Sequence, residues 1–130
     1  MGDRALIVVH NGEGDISPAA YLHWGGHKVK DIIERALPRM RKSDVSYSFA
    51  RLLGTAHEAT PGALGLGCFN GPANRAEAET ADYSPGDAGV FLLNCKTGLC
   101  ECFNGYGFRV DGAEDGEMAH QFDASKISSQ

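Results

Sequence analysis

The chain has 130 residues, 42% hydrophobic and 22% charged, with 17 Gly and a formal net charge of −5. That length suits about one domain burying roughly two thirds of its unfolded surface, so no disulfide or metal is obligatory, and the composition excludes collagen, coiled coil and outright disorder. The longest apolar run, Ala5 to Val9, falls far short of the roughly twenty residues of a bilayer span, and no leader opens the chain, so the expectation is a soluble, cytoplasmic protein.

Charge divides the chain unevenly. Residues 1–51 hold eight Lys or Arg against six Asp or Glu, while residues 52–130 hold four against eleven. An acidic total argues against a general nucleic-acid binder, because phosphate neutralisation dominates that affinity. It suits a basic protein partner instead.

In chain order, Arg4 to His10 reads as a strand, and Asn11-Gly12 with Glu13-Gly14-Asp15 supplies the turn of a hairpin. The return strand is expected over Ala19 to Trp24, after Ser17-Pro18. Alternation then sets Tyr21 and His23 on one face, and Ala20, Leu22 and a core Trp24 on the other. Gly25-Gly26 ends it. Val29, Ile32, Ile33, Ala36, Leu37 and Met40 share one helical face, with Pro38 on the opposite side as a kink, and the outer surface of this helix is basic. Ser43 or Asp44 caps a second helix carrying Val45, Phe49, Leu52, Leu53 and Ala56, ending near His57.

Pro61-Gly62 resets the chain before a short strand over Ala63 to Asn70, whose edge is free to pair with a second copy. Residues 72–87 hold almost no large apolar side chain, so they are expected to add little core and to form a loop or a short exposed helix from Pro72. Ala88 to Cys95 and Leu99 to Asn104 flank Lys96-Thr97-Gly98 as a hairpin. A single α+β domain is expected over 1–110. Residues 111–130 form an acidic C-terminal segment, with Met118 and Phe122 anchoring a short helix and a frayed end.

No phosphate loop, nucleophile elbow, HExxH or paired CxxC is present. Gly65-Leu66-Gly67 with Gly71 lacks the βαβ context of a dinucleotide site, and Asp111 to Phe122 lacks the ligands of a calcium loop. Candidate chemistry concentrates in Tyr21, His23, Trp24, Gly25, Gly26, His27 and Lys28. There, flexible backbone meets a helix start whose N–H groups favour a small anion, and His23 or His27 offers an acid or base. Cys68 is a candidate nucleophile. With Thr97-Gly98 as a two-residue turn, Cys95 and Cys100 face each other and Cys102 shares their face, a zinc candidate if His57 or His10 joins them. Otherwise no cofactor is expected.

The expected fold is α+β, a mostly antiparallel sheet of about five strands with two helices on one face, in the order ββααβββ. The favoured function is a small non-enzymatic binding or accessory protein, a regulator or inhibitor of mobile-element type, meeting a protein partner through acidic residues such as Glu77, Glu79 and Asp82. The alternative is a small-ligand or nucleotide-binding domain, or a small enzyme, built on the His23 to His27 segment.

Overall fold

A computed structural model describes residues 3–59, 65–109 and 118–127. Two aliphatic runs, β1 (Ala5–His10) and β4 (Gly89–Asn94), lie parallel at its centre, from Ala5 opposite Gly89 to His10 opposite Asn94. Their near-continuous apolar sequence follows from burial on both faces of the sheet. β2 (Ile16–Leu22) pairs antiparallel with β1, and β3 (Leu66–Phe69) pairs antiparallel with β2. With β5 (Leu99–Phe103) and β8 (Gln121–Asp123), the order is β3-β2-β1-β4-β5-β8. The fold is thus α+β as expected, but its sheet is mixed. The parallel pair arises because β2, two helices and β3 are inserted between the central strands.

One face is covered as the periodicity predicts. α1 (Val29–Ala36) and α2 (Val45–Ala59) cover Ile7, Val9, Ala20, Leu22, Phe91 and Leu93, and Val29, Ile32, Ile33, Leu52 and Ala56 are fully buried there. Asp44 is the cap of α2, its Oδ1 accepting from Tyr47 N–H at 2.9 Å. Pro38 stops α1 instead of kinking it. Lacking an N–H to continue the ladder, it sits in a 3₁₀ turn, Leu37–Arg39, and Met40 is already extended.

On the opposite face, residues 72–87 hold the short, mostly exposed helix that is expected, but they also help to close a core. Leu6, Val8, Ala19, Val90 and Leu92 form a second apolar cluster there, closed by Ala78 of α3 (Arg75–Ala78) and by half-buried Tyr83. Asn74, not Pro72, starts α3: its Oδ1 accepts from Glu77 N–H at 2.9 Å, while Glu77 Oε1 accepts from Ala73 N–H at 2.9 Å.

Leu93 stands opposite Cys100 and Phe91 opposite Cys102, so the β4–β5 connection has four residues and Cys95 falls out of register with Cys100. Asn94 stabilises it by accepting from Lys96 and Thr97 N–H groups. Towards the C-terminus, β7 (Met118–Ala119) pairs with β6 (Phe108–Arg109), and β8 leads into α4 (Ala124–Ile127), so strands replace the helix expected over Met118 to Phe122. Half of the acidic segment, 111–117 and 128–130, lies outside the described residues. Among the described residues no helix is long and apolar enough to cross a membrane.

Candidate functional site

β2 ends at Leu22, two residues earlier than expected, and alternation ends with it. Trp24 is therefore not a core residue. It is 55% exposed and lies over Gly65, where a Cβ would meet its Cδ1 at 2.7 Å. His23 stacks edge-on against it, with ring centroids 4.2 Å apart, and shares a 2.6 Å hydrogen bond between Nδ1 and Tyr21 Oη. Tyr21 in turn stacks face to face on Phe69, at 4.4 Å, and Phe69 is 51% exposed. Tyr21, His23 and Trp24 with Gly65, Leu66 and Gly67 line a shallow depression of about 250 Å³. Exposed large hydrophobic side chains grouped at one place are the usual mark of a contact surface.

The depression borders an unpaired edge. His23 N–H donates to Gly65 O at 2.9 Å, which sets Gly65, Gly67 and Phe69 facing β2. By the alternation of an antiparallel ladder, Leu66 and Cys68 turn their N–H and C=O groups outward. Among the described residues no strand pairs with that side of β3. Cys68 is exposed on this edge.

The rest of the predicted segment is arranged differently. Gly25 and Gly26 are buried, and His27 and Lys28 open the first turn before α1. The anion at this helix start is the chain's own Asp3. Its Oδ2 accepts from His27 N–H at 2.9 Å and pairs with His27 Nδ1 at 2.8 Å, its carbonyl accepts from Gly26 N–H at 2.7 Å, and its Oδ1 accepts from Tyr106 Oη–H. Burial, reinforced by Asp3, pushes the Tyr106 phenol up, so it stays a donor. Lys28 Nζ reaches Ala59 O at 3.2 Å.

Of the acidic residues expected to meet a partner, Glu77 is engaged in the α3 cap and Glu79 pairs with Arg75 at 3.0 Å, while Asp82 is exposed. The hairpin thiols are buried in the main core but serve opposite ends of β4. Cys95 Sγ lies 3.5 Å from Lys42 O, and Cys102 Sγ lies 3.3 Å from Ala88 O. Burial pushes all three thiols up, Cys102 to about 12 and Cys100 well above its ordinary range, so they hold their protons. His57 is exposed on α2, and among the described residues no three metal-ligating side chains come together.

Asp3, Tyr106 and Phe69 escape a reading of the sequence because their partners are remote. Tyr106 and Asp3 are 103 residues apart. For Phe69 a local signal existed, an aromatic on a strand already marked as an edge.

Comparison with protein-family models, with curated proteins and with solved structures finds no match to this chain.

Proposed function

We propose that this chain is a small non-enzymatic binding protein, of the regulator or inhibitor kind, whose partner adds a strand to the open edge of β3. The observation that carries the reading is the placement of the exposed large hydrophobics, Trp24 and Phe69, on either side of that edge. Main-chain groups supply affinity in such a mode and flanking side chains supply selectivity. The acidic residues of α3 are less available for this task, since Glu77 and Glu79 are engaged within the chain.

The occupant that fits best is a second copy. An antiparallel β3–β3 pairing about a two-fold axis at Gly67 sets Leu66 opposite Cys68 of the other copy, the positions whose backbone groups point outward. The same register sets Phe69 of each copy opposite Gly65 of the other, beside the Trp24 ring that overlies it. Each exposed aromatic then covers its counterpart. The patch carries no Lys, Arg, Asp or Glu, so the net charge of the chain does not oppose the contact locally. The pairing is isologous and closes on itself.

Light scattering over a concentration series is the direct test: a dimer is expected, with Trp24→Ala and Phe69→Ala shifting it to monomer. Gly67→Cys in a Cys68→Ser background should form a covalent dimer on mild oxidation, because directly opposed non-hydrogen-bonded positions hold Cβ atoms about 4.5–5.5 Å apart. A Cβ at Gly67 makes only ordinary contacts, 3.5 Å from Phe69 and 3.8 Å from Tyr21. Gly54→Cys on the exposed surface of α2 is the control. A monomer at every concentration, with Gly67→Cys no more cross-linked than Gly54→Cys, overturns the second-copy reading.

A further inference from the structure

We propose that the cavity at the C-terminal end of β1 binds a small α-amino-acid zwitterion, with His10 and Arg75 receiving its carboxylate and Asp15 its ammonium group. The cavity has a volume of about 300 Å³ and is lined by His10, Gly12, Gly14, Asp15, Ile16, Asn74 and Arg75. That is the low end of the range for small-molecule clefts.

The cavity is formed at a backbone irregularity. Pro18 has no N–H, and the β1–β2 register shifts between Val8 opposite Ala19 and His10 opposite Ile16. Ser17 Oγ bridges the two strands at the shift, accepting from Val9 N–H at 2.9 Å and donating to Pro18 O at 2.7 Å. The shift turns the end of β1 towards the Gly-rich turn. There, Gly12 N–H donates to His10 Nδ1 at 3.2 Å, so Nδ1 is the acceptor nitrogen and the proton sits on Nε2. The ring is only 5% exposed, and Nε2 has no hydrogen-bond partner. A buried donor without an acceptor is destabilising, and such groups in folded proteins call for an explanation. Burial, helped by the positive charge of Arg75, holds the imidazole below its ordinary pKa, which keeps it a neutral donor.

The other walls set the ligand's chemistry. Arg75 has five N–H donors, and its ion pairs with Glu79 and Glu101 use Nε and one Nη, which leaves donors for an anionic oxygen. Asp15 accepts from Asn11 Nδ2 through Oδ2 at 3.1 Å and has a carboxylate oxygen to offer a cation. Donors on one side and a carboxylate on the other match a zwitterion better than a simple anion, which Asp15 would repel. This site lies at the opposite end of β1 from Asp3 and stands independently of the β3 edge.

The test is a titration of the full chain, ¹⁵N-labelled at histidine, with glycine, acetate and methylammonium as probes, following the Nε2–H signal of His10. Glycine should shift that signal saturably and bind roughly tenfold more tightly than acetate, a difference of about 1.4 kcal/mol; methylammonium should leave it in place. Asp15→Asn should bring glycine down to the acetate level while the Nε2–H signal persists, which reports an intact fold. In His10→Phe, titrated by calorimetry because the reporter is gone, saturable binding of both should be lost. If no probe moves Nε2–H, if shifts grow linearly without saturation, or if a long-lived water contacts Nε2–H and no probe displaces it, the proposal is overturned.

Discussion

Just before β1, the Asp3 carboxylate accepts from the backbone and ring of His27 and from Tyr106, so two remote segments are tied to one side chain. At the last residue of β1, the His10 ring is more deeply buried than Asp3, yet its Nε2 has no partner. The same strand therefore ends in a completed polar network on one side and an incomplete one on the other. Completed networks rigidify and specify a fold, whereas an unpartnered donor stores a cost that a ligand can relieve. The difference marks the Asp3 end as architecture and the His10 end as a place where something binds.

Packing sharpens the contrast, and the largest predicted effect lies there. A Cβ on Gly26 would stand 2.7 Å from Asp3 O, 2.8 Å from Asp3 Oδ1 and 2.9 Å from Ala88 Cβ. Gly26→Ala should therefore destabilise by about 3 kcal/mol through overpacking, read as a lower midpoint in urea with an unchanged slope. A loss below about 0.5 kcal/mol would mean that the Asp3 end is looser than its contacts imply.

Asp3→Asn keeps the shape but removes the charge that His27 and Tyr106 share. The His27 side chain is 62% exposed, so its ion pair contributes little. The larger loss comes from the Tyr106 hydroxyl and the His27 backbone N–H. The expected cost is about 2 kcal/mol, and the double variant with Tyr106→Phe should lose less than the sum of the two single losses. Additive losses would break the reading of a shared network.

The next effect separates the two ends by pH. His10 is held below its ordinary value of 6.5 by burial first and by Arg75 second, with Glu101 opposing. In the window between the folded value and 6.5 the unfolded chain binds the extra proton, so stability rises with pH there and is lost as pH falls. Unfolding midpoints measured downward from pH 7 should thus fall more steeply for the native chain than for His10→Phe. Identical slopes would show that His10 is accessible to protons without cost.

What the sequence makes legible follows from where each signal resides. Four apolar positions at helical spacing, Val29, Ile32, Ile33 and Ala36, fix the face of α1, and Asp44 before Val45 fixes the start of α2. The second sheet face is illegible by the same logic, because Ala78 and Tyr83 close it at spacings that form no pattern. Trp24 misleads because alternation holds only while the strand continues, and Cys95 misleads because two extra turn residues shift the hairpin register. At the candidate sites, the cluster of Tyr21, His23 and Trp24 is visible as a local density of aromatics. Its counterpart Phe69 arrives only when β3 pairs with β2, and the donors around His10 come together only when β1, β2 and α3 meet.

The smallest effect is the most informative about the unpartnered donor. His10→Phe keeps a planar ring in the same space and removes both ring nitrogens, so it loses the acceptor of Gly12 N–H but also relieves the orphaned Nε2–H. These terms have opposite sign and similar size, each about 1 kcal/mol, so the net change without ligand should be near zero at pH 7. A loss of more than about 2 kcal/mol would mean that Nε2 has a partner such as a bound water, because the substitution would then break two hydrogen bonds with no compensating relief. A near-zero change combined with loss of glycine binding would separate the two roles of this residue: the fold tolerates His10, and the ligand requires it.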